Sequence, residues 1–148
     1  MPIQTGLGGL STGKDVQVDV VLPSGNILRM EGLTDFDAKA DQKVLDHHRI
    51  NGKVLHGTIP GGWSLSWSLE RTGPLIDEFF AALEANYYAG GENENVTVTE
   101  TIIEPGGALS TWRFVGVALK YDDAGNWRAD KFVQQKISGK ATERQRVS

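Results

Sequence analysis

The sequence predicts a mainly β fold, an antiparallel sandwich or barrel with one packed α-helix at about residues 74–89 and a projecting β-hairpin arm. Three observations predict it. Apolar residues alternate at period two in most segments, the mark of half-buried strands. Only one segment carries a helical stripe. Strands and helices do not alternate as βαβ units, which argues against a doubly wound parallel sheet. The 148 residues suit a single domain, 1–148, with a proper core, and no repeat or linker divides them.

The chain opens with a glycine-rich stretch, and "GGLSTGKD" (8–15) scans like a phosphate-binding loop up to its last position, where Asp15 replaces the hydroxyl. Seven residues before Gly8 leave little room for the strand such a loop needs. The residues after Lys14 alternate as a strand, where the loop needs a helix. Residues 1–15 are therefore predicted to be a flexible N-terminal arm, with Gly6, Gly8, Gly9 and Gly13 giving it little preference of its own.

Val16, Val18, Val20 and Leu22 predict a strand at 16–22. "PSGN" (23–26) turns it, and "ILRMEGL" returns as its hairpin partner. Residues 33–41 read as extended, with Leu33, Asp35 and Asp37 on one parity and Phe36, Ala38 and Ala40 on the other. Residues 42–60 carry Asn51-Gly52, a strong hairpin turn, between flanks that mix apolar and charged residues. That mixture predicts an arm projecting from the domain. In "GWSLSWSLERT", Trp63, Leu65, Trp67 and Leu69 share one face, while Ser64, Ser66, Ser68 and Glu70 share the other, as in a central core strand.

The helix follows. Thr72 or Gly73 is placed to cap it, Pro74 suits its first position, and Asp77 and Glu78 suit its first turn. Ile76, Phe79, Phe80, Leu83 and Tyr87 form its stripe, and Gly90-Gly91 ends it. Residues 96–104 alternate as a strand up to the turn "PGGA" (105–108). Residues 109–121 are apolar on both parities, which predicts a strand buried on both faces or shared with a neighbouring chain. "DDAGN" (122–126) turns into a last long strand at 127–139. Residues 140–148 form a polar C-terminal tail, expected to fray unless a partner orders it.

Composition narrows the function classes. No run of about 18 apolar residues is present, so no membrane-spanning helix is predicted. The first residues lack an apolar signal core, which argues against export by that route. With no cysteine there is no disulfide, thiolate metal site or cysteine nucleophile. The net charge of -4 argues against a general nucleic-acid binder.

Chemistry-bearing residues do not converge. His47 or His48 with His56 and Asp46 suggests a metal site across the hairpin, but neighbouring histidines point to opposite strand faces and no third ligand is fixed. Asp35 and Asp37 read as a solvated face, and Asp122 and Asp123 as turn residues. Ser64, Ser66 and Ser68 lack the context of a nucleophile elbow. Trp63 and Trp67 belong to the core parity. No catalytic residue and no cofactor is predicted.

The order and texture of segments resemble the tail tube proteins of long-tailed bacteriophages, whose fold is related to the tubes of contractile injection systems such as type VI secretion. The resemblance rests on the short glycine-bearing arm, "LTDFDAKADQKV" leading into a long hairpin, "GWSLSWSLERTGPLIDEFFAALEANYYAGG", and the closing "STWRFVGVALKYDDAGNWRADKFVQQKISGKATERQRV". It covers about residues 10–147.

The resemblance implies a structural subunit, not an enzyme. Such subunits form six-membered rings that stack into a hollow tube for DNA delivery, with arms reaching neighbouring subunits. The implied partners are further copies of the chain, with sheath, baseplate and tail terminator proteins outside. Tape measure protein and DNA would pass through the lumen without specific binding. The implied location is the virion tail, assembled in the bacterial cytoplasm. The lumen of such tubes tends to be acidic. The hairpin residues Val44, Leu45, His47, His48, Ile50, Val54, Leu55 and His56 are the expected subunit interface. Ser64, Ser66, Ser68 and Glu70 are the candidate lumen lining. The alternatives are a small sandwich that binds a ligand through Trp112, Trp127 or the hairpin, an enzyme at a histidine-bound metal, and the tube protein of a type VI-like system.

Overall fold

In the computed structural model, eight antiparallel strands run in the order β2-β1-β5-β6-β7-β4-β3, with β8 also paired to β6. Residues 16–30, 32–92 and 95–147 are described; the 1–15 arm lies outside them. The elements are β1 (Val16–Val21), β2 (Ile27–Arg29), β3 (Leu33–His48), β4 (Val54–Glu70), α1 (Leu75–Tyr88), β5 (Val96–Ile103), β6 (Leu109–Asp123), β7 (Gln134–Ala141) and β8 (Glu143–Arg146). The expected mainly β fold with one helix is what the described residues adopt.

The two halves of the sheet enclose one core. Val18, Val20, Val98 and Phe114 come from one half, and Leu65, Trp67, Leu69 and Ile137 from the other. Each fully buried aliphatic or Phe side chain among them contributes about 1.5–3 kcal/mol. The alternation of 63–69 is borne out: Leu65, Trp67 and Leu69 are buried, and Trp63 packs edge-on against Phe114 at 5.8 Å.

Bulges explain where the simple parity reading departs from the structure. Leu33 pairs with Leu69 and packs on the core, although it shares parity with Asp35 and Asp37. The register shifts at Thr34, whose hydroxyl donates to the Ser68 carbonyl at 3.2 Å. In β6, Val98 faces Phe114 while Val96 faces Val117, so an extra residue is inserted between them. Gly116 sits there at φ 64°, a conformation that favours glycine. The bulge switches the buried parity from Phe114 to Val117. Residues 109–121 are thus apolar on both parities because the strand changes phase; within the described chain it is not buried on both faces.

Three boundaries also differ. The last long strand begins at Gln134, not at 127; Trp127 and Phe132 are 69% and 85% exposed on the irregular segment before it. Residues 143–146 form β8 on β6, so this part of the polar tail is paired within the chain. Pro74 is the helix N-cap instead of the first helical residue, and neither Thr72 nor Gly73 supplies a side-chain cap. At the other end Gly90, at φ 84°, donates to the Tyr87 carbonyl and Gly91 to that of Asn86. That pair of bonds is the glycine-terminated stop expected of Gly90-Gly91.

The helix is held by polar contacts as well as by its buried Ile76. Asp77 accepts from Tyr121 Oη at 2.6 Å, Gln135 Nε2 at 3.1 Å and Arg71 Nε at 3.1 Å. The Tyr121 hydroxyl is the main cause of a lowered Asp77 pKa, helped by Arg71 and opposed by burial. Phe80 stacks on Tyr121 at 4.5 Å, so the same tyrosine serves both faces of the contact.

Candidate assembly interface

β3 and β4 both run on from the core, past one register shift, into a two-stranded ribbon. Their register continues through Val44 opposite Thr58 and Asp46 opposite His56 to His48 opposite Val54. Every residue from 42 to 60 is exposed. At the tip, Gly52 N–H donates to the Arg49 carbonyl and Arg49 N–H to that of Lys53. Gly52 lies at φ 86°, so Asn51-Gly52 close a three-residue loop rather than a two-residue turn.

The arm leaves the body at a bulge. Ala40 faces Trp63 and Gln42 faces Pro60, so Gly61 and Gly62 together oppose Asp41. A Cβ on Gly62 would lie 2.5 Å from the Ala141 carbonyl oxygen, and one on Gly61 would lie 2.8 Å from that of Asp41. These two glycines let the backbones cross closely where the ribbon departs.

Register sorts the arm into two faces. Leu45, His47, Leu55 and Ile59 share one with Lys43. Val44, Asp46, His48, Val54 and His56 share the other. Ile50, at 108% exposure, stands at the tip. The expected interface residues are therefore brought together on one ribbon but divided between its faces. Ile59, half exposed beside Leu55, was missed, although its spacing from Leu55 placed it on that face. Exposed apolar side chains thus stand on both faces of the ribbon, among Lys43, Asp46 and the histidines.

His56 Nδ1–H donates to Asp46 Oδ1 at 2.5 Å, with both side chains mostly exposed. His48 shares their face and His47 does not. Among the described residues, no group of three His, Asp or Glu side chains is placed to hold a metal ion.

The serine face of β4 lies in a broad polar surface. Asp37, Ser66, Ser138 and Lys120 form one row across β3, β4, β7 and β6, and Lys39, Ser64 and Lys140 the next. Ser64 donates to Asp41 Oδ2 at 2.6 Å. Ser66 is exposed, while Ser64, Ser68 and Glu70 are half-buried. Carboxylates and lysines are interspersed.

The tryptophans named for ligand binding are engaged or apart. The Arg144 guanidinium stacks 3.8 Å from the Trp112 ring centre and 4.9 Å from that of Trp63. Buried Glu100 stands opposite Trp112. Burial pushes its carboxyl above the usual range, partly offset by the charge of Arg144. Trp127 lies on the segment before β7, with Arg71 5.2 Å from its ring centre. Arg144 and Glu100 escaped the sequence reading, since one stood in a polar tail and the other in an alternating strand.

Bulged strands, one lateral helix and a long hairpin together define a tail-tube-like fold. No protein-family model and no curated protein sequence matches the chain. Among solved structures, a chain of the anti-feeding prophage cap (AFP tube terminating cap) superposes at a TM-score of 0.66 with 9% identity, over 94% of this chain and 91% of that one. A chain of the PVC sheath-tube complex, an extracellular contractile injection system, gives 0.65 with 11% identity over 95% of each. A chain of a gene transfer agent tail, refined with C6 symmetry, gives 0.58 with 13% identity over 94% and 100%.

Proposed function

We propose that this chain is the tube subunit of a phage tail or related particle, with a structural rather than a catalytic role. It self-assembles into stacked rings that enclose a conduit for delivery of DNA into a bacterial host. The observation that carries this reading is the 42–60 ribbon, exposed along its whole length on a tail-tube-like body. Its apolar side chains are covered when neighbouring subunits receive it. Hexameric rings are the reading supported by the C6 symmetry of the gene transfer agent tail.

Sheath, baseplate and terminator proteins are the partners supported by the assemblies in which similar folds occur, including the AFP baseplate. The particle tail is its location, and assembly takes place in the host cytoplasm. Ser64, Ser66, Ser68 and Glu70 line the lumen, where tape measure protein and DNA pass without specific binding. Lys39, Lys120 and Lys140 share that face with Asp37, so a lumen built from it is mixed in charge rather than acidic.

A tube terminator is the second reading, favoured by the likeness to a sheath/tube terminator structure at a TM-score of 0.63. Sedimentation and light scattering across a concentration series test both. Species growing without limit in ring-sized steps support the tube. A single closed ring that never stacks supports the terminator. A monomer at all concentrations overturns both.

A further inference from the structure

The arm tip and the outer surface of the helix are opposite in charge. The arm carries Lys43, Arg49 and Lys53, and its one acid, Asp46, is taken up by His56. The helix, LIDEFFAALEANYY, contains Asp77, Glu78 and Glu84 and no basic residue. Between its outer side and β6 runs an open groove of about 460 Å³, lined by Phe80, Glu84, Tyr87, Tyr88, Leu119 and Tyr121. Tyr87 and Tyr88 are 68% and 78% exposed, far more than large aromatic rings on a packed helix.

We propose that the arm tip of one copy docks in this helix groove of a second copy, with Ile50 on the aromatic floor and Arg49 and Lys53 facing Glu84. This rests on the tube reading above and names the surface that receives the arm. Residues 42–49 in extended form carry the tip roughly 27 Å beyond the sheet, away from the body of its own subunit. Its own helix does not receive it, because 42–60 are exposed throughout. A rival groove of about 370 Å³ between β2 and the helix start is lined by Ile27 and Leu75, but also by Arg29, which repels a basic tip.

The chain has no cysteine, so an introduced pair reports one contact. Ile50→Cys combined with Tyr88→Cys, assembled and then oxidised, is expected to give a ladder of covalent multimers on non-reducing gels. Ile50→Cys with Ile27→Cys samples the rival groove and is expected to give no ladder, and Ile50→Cys alone samples tip-to-tip contact and is expected to give no covalent dimer. Independently, Glu84→Lys should raise the concentration needed for assembly about tenfold, and adding Arg49→Glu should restore it. Wild-type tubes without the Tyr88 ladder, a ladder from the Ile27 control, a covalent dimer from Ile50→Cys alone, or no rescue by the second charge reversal overturns this docking and leaves tube assembly standing. Absence of any assembly by the wild-type chain overturns both.

Discussion

Tyr121 Oη donates a 2.6 Å hydrogen bond to Asp77 Oδ1 across 44 positions of sequence, tying the first turn of α1 to the far end of β6. The bond fixes the helix against the sheet where its cap is weakest, since Pro74 offers no side-chain acceptor. It also sets the floor of the groove proposed to receive the arm.

Asp77→Asn is accordingly expected to destabilise the subunit by about 1–2 kcal/mol at neutral pH, through loss of charge-assisted bonds from Tyr121 and Arg71. The Asp77 pKa is lowered in the folded state. Its contribution is therefore present above the ordinary carboxylate pKa and lost as pH falls through the folded value. Urea melts of both proteins should differ at pH 7 and converge in acid. A constant gap across that range would contradict the assignment.

The Glu100 carboxyl has the opposite sign. Its pKa is raised by burial, so the contribution linked to its protonation is present below the ordinary glutamate pKa and lost as pH rises through the folded value. Glu100→Gln should remove that dependence, and the wild-type and variant stability curves should have different slopes just above the ordinary glutamate range. Parallel curves would show that the buried carboxyl does not titrate as described.

Arg144→Ala is expected to cost about 1–3 kcal/mol, from lost stacking on Trp112 and Trp63 and a buried Glu100 left without its nearest cation. The loss should appear in thermal melts and as a shift in tryptophan emission. Unchanged stability would mean that β8 is a dispensable tail.

Gly62→Ala should destabilise the fold by at least about 2 kcal/mol, because φ is 92° and the new Cβ would meet a backbone oxygen. Gly57→Ala, out on the arm with open space around it, is the matched control and should be neutral in the free subunit.

Much of the fold was legible from residue order. Clean alternation at 63–69 located the core strand because one face is apolar without interruption. The single stripe from Ile76 to Leu83 located the helix. The arm was legible for the opposite reason: its flanks have no core parity. Phase changes were not legible, because a bulge at Thr34 or Gly116 inserts one residue and moves the next apolar side chain to the other parity. The role of Arg144 was also hidden, since a guanidinium that covers a core through its flat face reads in sequence as a solvated charge. The split of the arm into two faces follows from register, which the Asn51-Gly52 signal alone left open by one residue.

Negative-stain microscopy of the wild-type chain beside a 43–56 deletion tests self-assembly through the 42–60 ribbon. Rings or tubes are expected from the wild type at high concentration. None is expected from the deletion, whose far-UV spectrum and thermal transition should stay nearly unchanged. Tubes from the deletion, an unfolded deletion, or a wild type that stays monomeric at every concentration would contradict self-assembly through the ribbon.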